Sequence, residues 1–358
     1  MLRAWDMKTA ELLRLRLRNQ LLTGSRCREP RQVVSALVAM QAQEYAMSKW
    51  AIALRMAGAV KDADIERAFN AGEILRTHVL RPTWHFVTPE DIRWLLSLTA
   101  PRVHVANGFQ YRQLDLNAAL FKRSNALIVR ALEQQGNLTR VALQGMLAKC
   151  RIKAAGPRLG YLMMHAELEA LICSGPRDGK QFTYALLESR ARNAKSLDRK
   201  SALAELSRRY FASRGPATAQ DFATWSGLTL TEARAGVESL GREFERENID
   251  GRVHVFLPAT TRAAAGVSFL MPDYDEYGMS YKDRGALRVA TPPGVKRKAT
   301  LAHNRMIVVD GQIVGSWRRS DTDVSVIDTD YVAPPGPAWV RATAGATHRF
   351  LRFGSRDS

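Results

Sequence analysis

The order of helices and strands predicted for residues 118–190 constrains the fold most, because it recurs along the chain. A helical pattern over residues 121–133 ends at Gly136, and Thr139 can cap a second helix. A third helix follows from Pro157, and residues 171–184 alternate like two strands joined by a turn. Three helices followed by a hairpin make a winged helix, which this segment is predicted to form.

Residues 198–260 repeat this order. Thr218 precedes Asp221 by three residues, as in a capping box, and Asp250-Gly251 is a dipeptide that type I′ hairpin turns prefer. Helical patterns followed by a strand pair also occur in the less regular N-terminal part. We therefore predict three tandem winged-helix modules, at residues 1–117, 118–190 and 198–260.

The last part of the chain, residues 266–358, has a strand-rich pattern. Asp310-Gly311 separates two apolar runs and predicts a second tight hairpin, and a helical pattern closes the chain. These features predict a C-terminal β-rich domain. The predicted fold class of the whole chain is α+β.

The charge balance indicates a polyanionic partner. The 358 residues include 53 Lys and Arg against 35 Asp and Glu, which leaves a net charge of +18. Of these basic residues 41 are arginine, whose planar guanidinium suits phosphate and base edges. A GC-rich genome, which enriches arginine and alanine together, is the alternative explanation. Nucleic acid is the favoured partner.

Other classes of protein fit poorly. The three cysteines, Cys27, Cys150 and Cys173, are far apart and odd in number, which argues against a disulfide framework or a cysteine metal site. No run approaches the ~18 consecutive apolar residues of a membrane-spanning helix. We expect a monomeric cytoplasmic protein, associated with the nucleoid and not with a membrane.

A basic surface is predicted on the second module. Residues 119–160 contain eight basic residues and a single acid, Glu133. In a winged helix such an excess neutralises DNA phosphates, although a solvated basic face without a partner is the alternative. The predicted DNA-binding residues are Lys122, Arg123, Arg140, Lys149, Arg151, Lys153, Arg158, Arg177 and Lys180.

Two polar groups in the first module could line a site. Gln41 and Gln43 form an amide pair that, by pattern alone, is typical of a polar helix end. Arg81, Thr83 and His85 share one face of a predicted strand by the period of two. Spacing leaves open whether that face contacts solvent or a ligand, and it indicates no metal site.

An acidic cluster near residue 275 partly matches the spacing of a calcium loop. Asp273 and Asp275 fit its first and third positions, but Tyr277 and Arg284 occupy positions that need oxygen ligands. The EF-hand interpretation fails. We expect this cluster, which includes Glu276, to pair with Arg284 or neighbouring basic residues. The chain also lacks a glycine-rich phosphate loop, a nucleophile elbow and zinc-ligand spacing.

Four segments taken together resemble a known family. They are Gln41-Ala42-Gln43 followed by an acid, residues 74–87 with Arg81-Pro82-Thr83-Trp84-His85-Phe86-Val87, residues 269–284, and Gly315-Ser316-Trp317-Arg318-Arg319. In this order they resemble the winged-helix family that includes the AlkZ-like crosslink-repair DNA glycosylases. The resemblance covers most of the chain and implies three tandem winged helices followed by a β-barrel-like domain.

The resemblance also implies the site residues. The family's catalytic motif, Gln followed by any residue and then Gln or Asp, corresponds to Gln41 and Gln43, with Ala42 smaller than the usual middle residue. The implied substrate-cavity residues are Arg81, Thr83, His85, Tyr281, Asp283 and Arg284. No metal or organic cofactor is implied.

The chemistry of glutamine limits the reaction. A neutral carboxamide cannot deprotonate water, so its oxygen can only orient water or stabilise a developing cation. A purine alkylated at N7 is already cationic and leaves as a neutral base. The favoured function is therefore hydrolysis of the N-glycosidic bond of N7-alkylated purines in damaged duplex DNA, with bulky or crosslinked adducts among the candidates.

Two other functions remain open from the sequence. One is a winged-helix DNA-binding protein without catalysis, acting in transcription or DNA architecture. The other is an RNA-binding protein.

Overall fold

The computed structural model describes residues 5–258, 266–289 and 304–355, which form a fold of mixed helices and strands. Helix α1 (Trp5–Asn19) comes first. It is followed by α2 (Pro30–Leu37), β1 (Met40–Gln41), α3 (Tyr45–Ala53), α4 (Asp62–Ala71), β2 (Leu75–His78), β3 (Trp84–Val87) and the long helix α5 (Ile92–Gln113).

The middle of the chain continues with a second and a third group of elements. The second comprises α6 (Ala118–Gln135), β4 (Leu138–Thr139), α7 (Arg140–Lys149), α8 (Gly156–Leu168), β5 (Ile172–Ser174) and β6 (Thr183–Leu186), and the short helix α9 (Leu187–Arg190) follows. The third comprises α10 (Arg199–Arg214), α11 (Ala219–Ser226), α12 (Leu230–Glu238), β7 (Glu245–Ile249) and β8 (Arg252–Phe256).

The order helix, strand, helix, helix, strand, strand is therefore repeated. We call residues 30–87, 118–186 and 199–256 the first, second and third repeats. The first two have the same sheet order, β1-β3-β2 and β4-β6-β5. In the third, a single bridge between Ala217 and Val255 takes the place of the first strand.

The local signals that predicted these elements are present in the structure. The Thr139 hydroxyl accepts the Ala142 N–H at 3.1 Å, and Thr218 and Asp221 form a capping box. Asp250-Gly251 and Asp310-Gly311 have positive φ at both residues, as a type I′ turn requires. These predictions are confirmed. Caps and tight turns depend on neighbouring residues, so a short stretch of sequence is enough to indicate them.

The C-terminal part differs from the predicted barrel-like domain. It consists of β9 (Ser268–Leu270), α13 (Glu276–Met279), β10 (Met306–Val309), β11 (Gln312–Arg319), β12 (Ile327–Tyr331) and α14 (Pro337–Phe353). The four strands form one antiparallel sheet, β12-β11-β10-β9. Within the described residues this sheet is open, since β9 and β12 do not pair with each other. Phe350 of α14 packs on Trp317 of the sheet and on Trp50 of α3.

The core is divided unequally among these parts. One hydrophobic cluster joins α1, the first and third repeats and the C-terminal sheet. Most of the second repeat has a cluster of its own, which includes Phe121 and Leu143, while its Leu168 and Cys173 belong to the main cluster. The second repeat is thus less integrated into the main core than the first and third. None of the described helices combines the length and apolar character needed to cross a membrane.

A buried ion pair links the first repeat to the C-terminal part. The Arg55 guanidinium donates to both carboxylate oxygens of Asp275, at 2.8 and 2.9 Å, and both side chains are fully buried. Arg55 also donates to the backbone oxygens of Gln20 and Ala51. Removing one partner would leave an uncompensated charge in the core.

We predict that Arg55→Ala lowers the free energy of unfolding by about 3–5 kcal/mol, because Asp275 loses its partner in the interior. Urea denaturation measures the change. The matched control is Arg67→Ala, which removes an exposed pair with Asp64 and should change stability by less than ~1 kcal/mol. Equal effects of the two substitutions would contradict the assigned role of Arg55.

Candidate functional site

The three-stranded sheet of the first repeat brings the predicted site residues together. Gln41 on β1 lies directly opposite His85 on β3, and His85 lies opposite Thr77 on β2. Opposed residues of antiparallel strands share a face, so these three side chains form a row across the sheet. Gln43 follows β1 and Thr83 precedes β3, so both lie just outside the paired strands.

Gln41 is buried and held at both its backbone and its side chain. Its N–H donates to Glu276 Oε1 at 2.8 Å. Its side-chain oxygen accepts Arg81 Nη2 at 3.0 Å. These contacts fix the position and orientation of the carboxamide.

Gln43 has a different environment. It is partly exposed, and its carboxamide has no hydrogen-bond partner among residues 5–258, 266–289 and 304–355. Between the two glutamines the Ala42 backbone is held on both sides, by the Trp84 carbonyl at 2.7 Å and by Arg76 Nε at 2.9 Å. The next residue, Glu44, is exposed. Gln43 is therefore available to an incoming molecule.

Glu276 is the carboxylate that accepts the backbone N–H of Gln41, and it is 1% exposed. Its Oε1 accepts from Gln41, and its Oε2 accepts Arg214 Nη2 at 2.6 Å and Trp225 Nε1 at 2.8 Å. Burial by itself raises the pKa of Glu276, but the charge and hydrogen bond of Arg214 outweigh it and lower the pKa to about 2. Glu276 is thus ionised and has both oxygens occupied.

His85 is completely buried and only partly satisfied. Its Nδ1 is 2.9 Å from the Thr83 carbonyl oxygen, whereas its Nε2 has no partner within the described part of the chain. The hydroxyls of Thr77 and Thr83 are also buried and unpartnered there. Burial and the nearby Arg81 charge lower the pKa of His85 to about 3, so the imidazole is neutral.

Arg81 joins the first repeat to the third. Besides Gln41, it donates to the backbone carbonyl of Trp225. Burial lowers its pKa, with Glu276 acting in the opposite direction and Arg214 and Arg284 adding repulsion. The site therefore contains several guanidinium groups around one carboxylate.

The structure places the three remaining cavity candidates differently. Tyr281 lies in the core, with its hydroxyl between Gln20 and the Arg214 carbonyl, so it lines no open cavity. Asp283 is exposed and pairs with Arg252. It lines a surface cleft of about 390 Å³ with Thr218, Gln220, Asp221, Arg252 and Lys282. Arg284 donates to the Gly278 carbonyl at 2.7 Å.

Most of the predicted DNA-binding residues are on the surface. The exposed ones are Lys122, Arg123, Lys149, Arg151, Lys153 and Lys180, and Arg140 is partly buried. Arg158 instead has its guanidinium on the backbone carbonyls of Leu114, Asp115 and Lys153. Its donors are occupied by the chain itself.

Arg177 lies against the first repeat. Its guanidinium carbon is 4.1 Å from the centroid of the Phe182 ring, and Arg76 is 4.7 Å from the same ring and 4.2 Å from that of Trp84. These stacked cations link the hairpin of the second repeat to the segment that holds Ala42.

Sequence reasoning missed the charged partners of the site. Glu276 was expected to pair with neighbouring basic residues, but its partner is Arg214 of α10, and the partner of Asp275 is Arg55. The available signal was the adjacency of two acids in an apolar context. Their partners are far away in sequence, so no local pattern identifies them.

We predict that His85 makes stability depend on pH. Because its pKa is lower in the folded protein than its ordinary 6.5, His85 stabilises the fold above pH 6.5, and this contribution is lost as pH falls towards 3. Between pH 6.5 and 5 the free energy of unfolding should fall by about 1 kcal/mol per pH unit more in the wild type than in His85→Gln.

Urea denaturation at several pH values measures this slope. His348→Gln, at an exposed position, is the control and should keep the wild-type slope. A His85→Gln slope equal to that of the wild type would show that the imidazole is not buried in its neutral form.

The chain was compared with known proteins. A family model described as DNA glycosylase AlkZ-like matches residues 34–353. Among solved structures, the chain is similar to the Streptomyces sahachiroi DNA glycosylase AlkZ, with a TM-score of 0.79, 20% identity and coverage of 99% of this chain and 97% of that one. No curated protein sequence gives a significant match. Because the family model spans most of its length, the chain belongs to the AlkZ-like DNA glycosylase family.

Proposed function

We propose that the chain is a monofunctional glycosylase that hydrolyses the N-glycosidic bond of N7-alkylated purines in damaged duplex DNA. Family membership supports the glycosylase activity. The observation that carries the substrate class is the state of Glu276, the carboxylate that contacts Gln41.

Glu276 is a poor general base. A catalytic base works best with a pKa near the operating pH and a free lone pair aimed at its substrate, whereas Glu276 has a pKa of about 2 and three donors on its oxygens. Activation of water is then left to neutral amides, which are weak catalysts. A leaving group that already carries positive charge, such as an N7-alkylated purine, suits such a site.

The two glutamines have different roles in this proposal. The oxygen of Gln41 accepts from the Arg81 cation, which makes it less able to stabilise a second cation but leaves a lone pair for a water molecule. The oxygen of Gln43 is free of such a partner within the described residues. We assign Gln41 to positioning water and Gln43 to stabilising the cationic sugar.

The unsatisfied atoms beside the amides complete the proposed site. His85 Nε2 and the hydroxyls of Thr77 and Thr83 are buried polar groups that would each gain a hydrogen bond from water or from the sugar. Because His85 is neutral, its free nitrogen can accept from the same water. Gln43 is partly exposed, so in this proposal it can reach a bulky or crosslinked nucleotide that is not completely extruded from the duplex.

In this proposal, tandem winged helices bind the DNA. We assign winged-helix modules to residues 1–117, 118–190 and 198–260, followed by the C-terminal domain at 266–358, in a chain that acts as a monomer. The repeated element order and sheet order support the assignment. The exposed basic residues of the second repeat would contact phosphates. Arg158 and Arg177 would instead stabilise the backbone and hairpin that carry them.

We predict that Gln41→Ala and Gln43→Ala each reduce the rate of base release from N7-methylated duplex DNA about 100-fold or more, because each removes an oxygen that acts in the transition state. Duplex binding should change little. Single-turnover release of methylated purine measures the first effect, and fluorescence anisotropy with the same duplex measures the second.

Glu44→Ala is the matched control, since Glu44 is exposed beside the pair and should tolerate substitution. Tight binding without base release by the wild-type protein would favour a DNA-binding protein without catalysis. Unchanged release in both Gln41→Ala and Gln43→Ala would exclude the amide mechanism while leaving the glycosylase activity intact.

We predict that the double substitution Lys149→Ala and Lys153→Ala reduces the slope of log affinity against log salt by about 2, because each lysine neutralises one phosphate. Both side chains are exposed. The control is Arg67→Ala with Arg341→Ala, which removes the same charge from exposed positions outside the basic group. Equal slopes in the two variants would mean that affinity follows net charge and not this surface.

A further inference from the structure

A cluster of metal-ligating side chains lies between α5 and α8, apart from the glutamine site. His104 is on α5, His165 is on α8, and Glu169 is the residue that caps the C-terminus of α8. Ligand atoms from the three side chains lie within 4.8 Å of one another. His104 Nε2 and Glu169 Oε1 are 3.1 Å apart.

We propose that His104, His165 and Glu169 bind a zinc ion that ties α5 to α8. Zinc takes imidazole nitrogen and carboxylate oxygen at about 2.0–2.2 Å in tetrahedral geometry, which places neighbouring ligand atoms about 3.3 Å apart. The His104–Glu169 spacing already matches this value. The third ligand atom lies within 4.8 Å of the other two, so a shift of at most about 1.5 Å completes the set.

The hydrogen-bond partners of the two histidine rings fit this assignment. The Tyr111 hydroxyl lies 2.9 Å from His104 Nδ1, which fixes that ring and leaves Nε2 facing Glu169. A metal-binding histidine commonly donates its other N–H to such a partner.

His165 has an equivalent partner in Asn125. The Asn125 amide nitrogen lies 3.2 Å from His165 Nδ1, and the Asn125 oxygen is buried with no partner in the described part of the chain. Rotating the amide by 180° lets that oxygen accept from Nδ1–H, which leaves Nε2 of His165 free for a metal. The Phe121 ring, stacked at 3.8 Å, holds the imidazole in place.

The types of ligand atom indicate which metal ion the cluster would bind. Two imidazoles and one carboxylate suit zinc, whereas calcium and magnesium require oxygen ligands. Glu169 is 48% exposed and His104 is 24% exposed, so water can occupy the fourth position. Because α5 follows the first repeat and α8 belongs to the second, the ion would strengthen the attachment of the repeat that has its own hydrophobic core.

The experiment uses the full chain without an affinity tag, stripped of metal with a chelator and titrated with zinc chloride by calorimetry. We expect one saturable site per chain and a melting temperature that rises with free zinc. Glu169→Gln should weaken zinc binding at least tenfold, and its exposed position favours normal folding. His348→Ala, which removes an exposed histidine elsewhere, should bind zinc like the wild type.

Cobalt serves as a spectroscopic probe of the same site. The cobalt-loaded protein should show the visible absorption of tetrahedral Co²⁺, and His104→Ala should lose it. Absence of saturable zinc binding would overturn the proposal. It would also be overturned if Glu169→Gln and His104→Ala bound zinc as tightly as the wild type.

Discussion

The ionised carboxylate of Glu276 is the contact on which the geometry of the site depends. It accepts from the backbone of Gln41 in the first repeat and from Arg214 and Trp225 in the third. Arg214 also donates to the carbonyls of Leu37 and Ala39, which lead into β1. Segments distant in sequence thus converge on one buried carboxylate. Because a buried charge is costly unless all its partners are present, they are held in one arrangement.

In this arrangement the charged side chains pair with one another in the core, and the polar atoms left without a partner are uncharged. The charges of Glu276 and Arg214 are used within the core, and the Arg81 guanidinium is divided between Gln41 and the third repeat. The unsatisfied groups nearby are uncharged, and they include His85 Nε2. Leaving such atoms buried and unpaired costs roughly 1–3 kcal/mol each.

Sequence reasoning succeeded where the physics is local. Caps at Thr139 and Thr218 and the Asp-Gly turns depend on residues a few positions apart. The predicted strand was too long, because β3 begins at Trp84 and only His85 of the three polar residues lies on it. It failed for the barrel-like domain, whose described strands form an open sheet, and it did not show that Tyr281 lies inside the core. Both depend on which distant segments cover a residue or a strand edge, and no short pattern contains that information.

The amino-acid order by itself determined the repeated succession of helices and strands, the hairpin turns, the positive charge and the pair of amides at the end of an apolar run. Only the tertiary structure decided that Gln41 lies opposite His85, that Arg81 and Glu276 hold it, and that Asp275 pairs with Arg55. The reason is that helix caps and turns are stabilised by near neighbours, whereas burial and charge pairing depend on the packing of segments tens to hundreds of residues apart.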